Sequence, residues 1–322
     1  MMDNEASELC FPLLNSSCRK PQTHMSEAVS VYAVLSILSL LTTALNLLVI
    51  ISIAHFRQLH SATNFILFSL GVSDFFVGLV VIPTDMFMWR RCWVLGDLLC
   101  VLYFTLTITV LMASVTSMVL ISVDRYMAIC YPMHYHSRDG VKVVSITIPV
   151  CWVYAVCYAF FLFQKNFSNL GKYRSCHGEC VAVMEGDADL ILAFVIPICI
   201  IVVLYMRVFV VAVSQARAMR SHVTAATLQS TKSKKSDIKA ARNLGILVLV
   251  FLICYCPYYI VVLSGGHMVG ASLEAVMAFV MYVNSCLNPL IYALFYPWFR
   301  KAIKSIITLQ ILSPGSCDLM LT

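Results

Sequence analysis

Residues 284–299 read Asn-Ser-Cys-Leu-Asn-Pro-Leu-Ile-Tyr-Ala-Leu-Phe-Tyr-Pro-Trp-Phe and close an apolar run that begins near residue 271. In lipid, every backbone group must be bonded internally, so a proline inside such a run frees a carbonyl that polar neighbours must satisfy again. Asn284, Ser285 and Asn288 surround Pro289 in this way, and Tyr292 follows one turn later. Pro297 then restarts the chain, and residues 297–307 place Arg300, Lys301 and Lys304 among apolar residues, the pattern of a short amphipathic helix on a membrane surface.

The composition agrees with a lipid solvent. The 322 residues are 61% hydrophobic and 12% charged, whereas soluble domains carry about 25% charged residues. A span needs about 20 apolar residues, and seven such runs stand at 28–54, 64–88, 98–131, 142–163, 188–213, 240–265 and 271–295. The expected fold is all-α: a seven-transmembrane helix bundle with a short amphipathic eighth helix. Residues 1–27 form an N-terminal tail, 28–295 the seven-helix domain, and 296–322 the amphipathic helix with a cytoplasmic tail. No internal repeat or low-complexity tract interrupts it.

Charge sets the orientation. With the N-terminus outside, the inner segments hold Arg57, Arg125, Arg138, Lys142, Arg207, Arg217, Arg220, Lys232, Lys234, Lys235, Lys239, Arg242, Arg300, Lys301 and Lys304, against seven Lys and Arg outside. Positive residues favour the cytoplasm. The net charge of +6 is therefore a topology signal, and nucleic acid is not an expected partner. The N-terminus lacks the basic-then-apolar pattern of a cleaved signal peptide, so the first span is expected to act as the anchor. Six cysteines fall outside, Cys10, Cys18, Cys92, Cys100, Cys176 and Cys180, an even number in an oxidising compartment. Asn15 and Asn166 head glycosylation sequons on the same side.

Asn288-Pro289-x-x-Tyr292 resembles the mark of the last helix in rhodopsin-like G-protein-coupled receptors. The longer pattern of Asn284-Ser285, Asn288-Pro289, Tyr292, Tyr296 and Trp298-Phe299 resembles the fingerprint of trace amine-associated receptors. Asp124-Arg125-Tyr126 ends the third span 25 residues after Cys100, the family's spacing. The resemblance covers roughly residues 28–307. It implies a multi-pass plasma-membrane receptor with an extracellular N-terminus, partnered by a small-molecule amine, a heterotrimeric G protein and the bilayer. It also implies an olfactory role and stimulatory, cyclic AMP signalling.

The resemblance assigns roles to the polar residues of the interior. Asn46, Asp74, Ser114, Asn284, Ser285 and Asn288 are implied to surround a sodium ion and water. Hydroxyl and amide oxygens beside a buried carboxylate suit a hard cation; the alternative is a hydrogen-bonded core around a protonated Asp74. No other cofactor is expected. Arg125 is implied to pair with Asp124 and with Asp237 at the base of the sixth span, holding the inner face closed. Opening of that span would free Arg125 for a G-protein segment, with Tyr205 and Tyr292 supporting the open state. Phe251, Tyr255 and Pro257 form the switch of the sixth span, with Tyr255 where the superfamily usually has Trp. Cys100 is implied to bridge to the second outer loop, with Cys180 as its partner and Cys176 left for Cys10 or Cys18; the connectivity stays open.

The ligand site departs from the aminergic pattern. An Asp stands there eighteen residues before the Arg of Asp-Arg-Tyr, and here that position is Thr107. Asp189, eight residues before Pro197, supplies a carboxylate in the fifth span, as in some fish members of the group. The implied pose puts the ammonium at Asp189 and the apolar tail toward Thr107, Leu111, Tyr258 and Tyr282, with Tyr258, Tyr259 and Tyr282 offering cation–π contact. The plainer alternative for Asp189 is a carboxylate at a helix N-terminus. Asp85 and Glu274 are candidates for a second ammonium, or rim residues in water. A retinal photoreceptor is excluded because Tyr282 stands where its lysine belongs. No nucleophile–base set supports an enzyme, and neither repeats nor broken helices support a transporter. A receptor for a non-amine odorant or a peptide is the main competing expectation.

Overall fold

The computed structural model describes residues 9–20, 25–90, 92–135, 140–184, 190–221, 228–263 and 271–318. Seven of its helices are long and apolar enough to cross a membrane. They are α1 (Met25–His55), α2 (Ala62–Phe76, a wide turn Val77–Val81 and Ile82–Arg90), α3 (Asp97–Cys130), α4 (Gly140–Ser168), α5 (a wide turn Leu190–Val195 leading into Ile196–Ser221), α6 (Leu228–Leu263) and α7 (Ala271–Phe295). The amphipathic α8 covers Pro297–Ile307, as the sequence pattern predicts. The one large difference is α6, which starts at Leu228 and not near residue 240. Hydropathy marks where lipid ends, and the polar stretch 228–239 carries the helix beyond it.

The bundle is apolar outside and polar at its centre. Leu40, Val203, Phe209 and Ile253 point outward, each more than half exposed, while Thr42, Asn46, Asp74 and Asn288 have no exposed surface. That arrangement fits lipid, where an outward methyl costs nothing and a polar group is best satisfied inside.

Close helix crossings hold α1 to α4. The Ser39 hydroxyl donates to the Gly78 carbonyl at 2.7 Å. A Cβ on Gly78 would lie 2.7 Å from the Thr43 nitrogen, so this crossing requires glycine. Trp152 Nε1 donates to Ser69 Oγ at 3.0 Å, and Ser69 shares a 3.2 Å bond with Ser117, joining α4, α2 and α3.

The two wide turns each precede a proline. The ring of Pro83 would clash with the carbonyl of Leu79 in a regular helix, and Pro197 with that of Ala193. Both carbonyls fall inside π-type turns, and the Ile82 amide reaches back five residues to Val77 O.

Three disulfides gather at one end of the bundle: Cys10–Cys92, Cys18–Cys176 and Cys100–Cys180. The expected Cys100–Cys180 pairing is present, Cys18 takes Cys176, and Cys92 holds Cys10. The tail is further fixed by the Cys18 amide on His177 O at 2.9 Å and the His177 amide on Ser16 O at 2.8 Å. Asn15 is exposed there. Asn166 is a correction: it is 2% exposed, its Nδ2 donates to Val183 O at 2.7 Å and its Oδ1 accepts from Val183 N at 3.1 Å. Both amide atoms tie α4 to the next loop, which is incompatible with the glycan expected at that sequon.

At the opposite end α8 buries Phe299 and Ala302, the latter against Phe56 and Leu59. The chain beyond it folds back: His55 Nε2 lies 3.0 Å from Ser316 Oγ, and Arg57 pairs with Asp318 at 3.7 Å in the open.

Candidate functional site

Three polar groups stack along the bundle between its ends. At the end away from the disulfides, Arg125 is 5% exposed and bonded through Nε and Nη2. Its Nε donates to Asp124 Oδ2 at 3.0 Å, and Nη2 donates to Asp124 Oδ2 at 2.5 Å, Thr63 Oγ1 at 2.7 Å and Tyr135 OH at 3.0 Å. Tyr135 OH in turn donates to Asp124 Oδ1 at 3.1 Å. Burial pushes the Tyr135 phenol above its ordinary range, against the opposing pull of Arg125, so it stays a neutral donor. The pairing expected with Asp124 is present. Asp237 lies on α6, but its side chain is outside the described residues. Tyr126 packs edge-on to Tyr131 at 5.7 Å. Among the described residues the buried hydroxyls of Tyr205, Tyr292 and Tyr296 have no hydrogen-bond partner. Their phenols are therefore available to whatever arrangement replaces this one.

The second group lies at mid-bundle. Asn288 Nδ2 donates to Asp74 Oδ2 at 2.7 Å, and Asn46 Nδ2 donates to the Ser285 carbonyl at 3.0 Å and to Thr42 O at 2.9 Å. Asp74 Oδ1, Ser114 Oγ, Asn284 Oδ1, Asn288 Oδ1 and Asn46 Oδ1 are buried without a partner among the described residues. Orphaned buried oxygens around one carboxylate are costly and call for water or a cation. The set is hard and anionic, which fits sodium. Phe251 packs at a tilt against Tyr255, with ring centroids 4.1 Å apart, and both are buried. Tyr255 is therefore an aromatic plug in α6, packed on Phe251. Pro257 and Pro289 stand inside α6 and α7 as expected.

The third group faces the disulfide end. The Thr107 hydroxyl is spent on its own helix, donating to Tyr103 O at 2.9 Å. Leu111 and Tyr258 pack on the main core. Tyr259 stacks on Phe194 at 4.3 Å and meets Tyr258 edge-on at 5.3 Å. Asp85 accepts hydrogen bonds from the hydroxyls of Tyr103 on α3 and Tyr282 on α7. Asp189 lies outside the described residues, and Glu274 sits on α7 with its side chain outside them. Thr63, Tyr135 and Tyr103 are the residues that sequence reasoning missed. Thr63 had one usable signal, the Ser61 cap that starts α2 beside it.

A family model described as the 7 transmembrane receptor (rhodopsin family) matches residues 45–292. Trace amine-associated receptor 13c of Danio rerio is 34% identical over 98% of this chain and 97% of its own length. Trace amine-associated receptor 1 of Mus musculus is 33% identical over 96% and 97%. Trace amine-associated receptor 8a of Rattus norvegicus is 36% identical over 98% and 96%.

Proposed function

Because the chain belongs to the rhodopsin family of seven-transmembrane, G-protein-coupled receptors, and within it to the trace amine-associated receptors, we propose that it is a plasma-membrane chemosensory receptor for biogenic amines. The observation that carries this is similarity along nearly the whole chain to receptors named for trace amines. It is not an enzyme.

The ammonium is held by Asp189 near the start of α5, since Thr107 offers no charge and its hydroxyl is committed to Tyr103. A half-buried ammonium needs a counter-ion. The tail of the amine lies toward Leu111, Tyr258 and Tyr282. The N-terminus and the disulfide end face outward. Asp74, Ser114, Asn284, Ser285 and Asn288 would hold a sodium ion, which supplies the positive charge that balances the Asp74 carboxylate. The bonds of Arg125 to Asp124, Thr63 and Tyr135 keep the inner face closed. Agonist binding shifts the population toward a form in which α6 has swung outward and Arg125 meets the G protein. Tyr205 and Tyr292, buried without partners among the described residues, gain them there through water. Signalling runs through a stimulatory G protein and cyclic AMP, in an olfactory setting.

The test is a cyclic AMP reporter with a panel of amines, at matched surface expression. Asp189→Asn abolishes the response and Thr107→Ala does not. An undiminished response from Asp189→Asn sinks the α5 counter-ion. Silence toward all amines from a well-expressed receptor favours the second reading, a non-amine odorant or peptide receptor, which Thr107 in place of the usual acid supports.

A further inference from the structure

Tyr296 stands alone between Phe295, where α7 ends, and Pro297, where α8 begins. A residue before proline avoids helical angles, and Tyr296 is extended, with φ −112° and ψ 106°. Its backbone is satisfied: the amide donates to Tyr292 O at 2.9 Å, and the carbonyl accepts from Phe299 N at 3.1 Å. Its ring is held as well, edge-on to Tyr292 at 6.1 Å and tilted against Trp298 at 6.0 Å between centroids. The hydroxyl is the exception, buried and without a hydrogen-bond partner among the described residues.

That hydroxyl lies within electrostatic reach of Arg125 and Asp124. Burial pushes the phenol up to about 12, against the pull of Arg125, so it stays neutral and has a lone pair to offer. In the closed form Arg125 is held instead by Asp124, Thr63 and Tyr135. An unpartnered buried hydroxyl is costly, and a buried guanidinium is costlier still once its partners leave. Each can relieve the other. The acceptor is anchored independently of α6, because Phe299 beside it is buried and Ala302 of α8 packs on Phe56 and Leu59.

We propose that Tyr296 is a positioning residue for activation: when α6 opens and Arg125 leaves Asp124, the Tyr296 hydroxyl accepts from the guanidinium and holds it for the G protein. This rests on the reading of Arg125 above and gives Tyr296 a part separate from those of Tyr205 and Tyr292. The measurement is the open fraction of the full-length, ligand-free receptor in lipid nanodiscs. It is read as the long-distance population between spin labels at His60→Cys and Lys239→Cys, on a background without reactive cysteines. Tyr135→Phe strips two bonds from the closed form and supplies the open fraction. Adding Tyr296→Phe, which keeps the ring and loses the hydroxyl, lowers the open-to-closed ratio roughly fivefold. With Arg125→Ala also present, or Arg125→Leu if that variant does not fold, the same change moves the ratio by less than about twofold, since no guanidinium remains to be held. A fall that persists without Arg125 marks a merely structural loss and overturns the assignment. An unmoved or raised ratio in Tyr296→Phe overturns it too, while the opening in Tyr135→Phe leaves the reading of Arg125 standing. No open fraction in any variant overturns both.

Discussion

Tyr135 handles two charges through one oxygen, accepting from Arg125 and donating to Asp124. Tyr135→Phe keeps the ring, which lies 5.8 Å from the guanidinium carbon, and removes both bonds. Loss of a hydrogen bond to charged partners costs about 1 kcal/mol or more, and the closed form loses it selectively. Ligand-free signalling should rise roughly fivefold. The check is basal second-messenger output at matched expression, and an unchanged basal level would show that Tyr135 holds nothing closed. Nothing in the sequence singled this tyrosine out. It stands ten residues beyond Arg125, in the one-turn helix Pro132–Tyr135, and its neighbour in the lock, Thr63, is 62 residues before the arginine. Motif spacing captures Asp124 and Arg125 because they are adjacent; it carries no information on partners that only folding brings near. Asn166 teaches the converse. A sequon reads three letters, while burial depends on where the helix end docks.

Helices were the most legible level, because span length and amphipathic period are properties of one stretch of chain. The α8 boundaries came out as the sequence implied, since Pro297 and the basic residues write them locally. Crossings are different. Gly78 and Gly71 look alike in sequence, yet a Cβ at Gly78 would meet Thr43 backbone at 2.7 Å, and one at Gly71 would meet Val49 at an ordinary 3.5 Å. Gly78→Val should therefore wedge α1 from α2 at a cost of about 1–3 kcal/mol. Gly71→Ala should be neutral or stabilising by up to about 1 kcal/mol. Thermal unfolding of the purified receptor in detergent separates the two, and equal melting shifts would refute the close crossing.

At the scale of the whole bundle, the polar ties among the described residues are unevenly spread. α1, α2, α3 and α4 are linked through Ser39, Ser69, Ser117 and Trp152. Between α5 and α6, by contrast, the contact at Gly245 is the ring edge of Tyr205, 3.3 Å from where a Cβ would stand. Motion on activation should fall on α6. Spectroscopic labels at His60→Cys and Lys239→Cys, on a background without reactive cysteines, should separate on agonist addition by on the order of 5 Å, while His60→Cys and Val143→Cys keep their distance. Equal movement of both pairs would contradict a fixed α1–α4 body.

The tail hairpin between Cys10 and Cys18 carries Leu13, 97% exposed, at its tip, and each of its legs is bonded to a different loop. A protease that cuts at Leu13 releases nothing: the piece before the cut stays on Cys92, and the piece after it on Cys176. The fold thus tolerates a broken backbone at this exposed tip, and the damage would show only once the disulfides had been reduced.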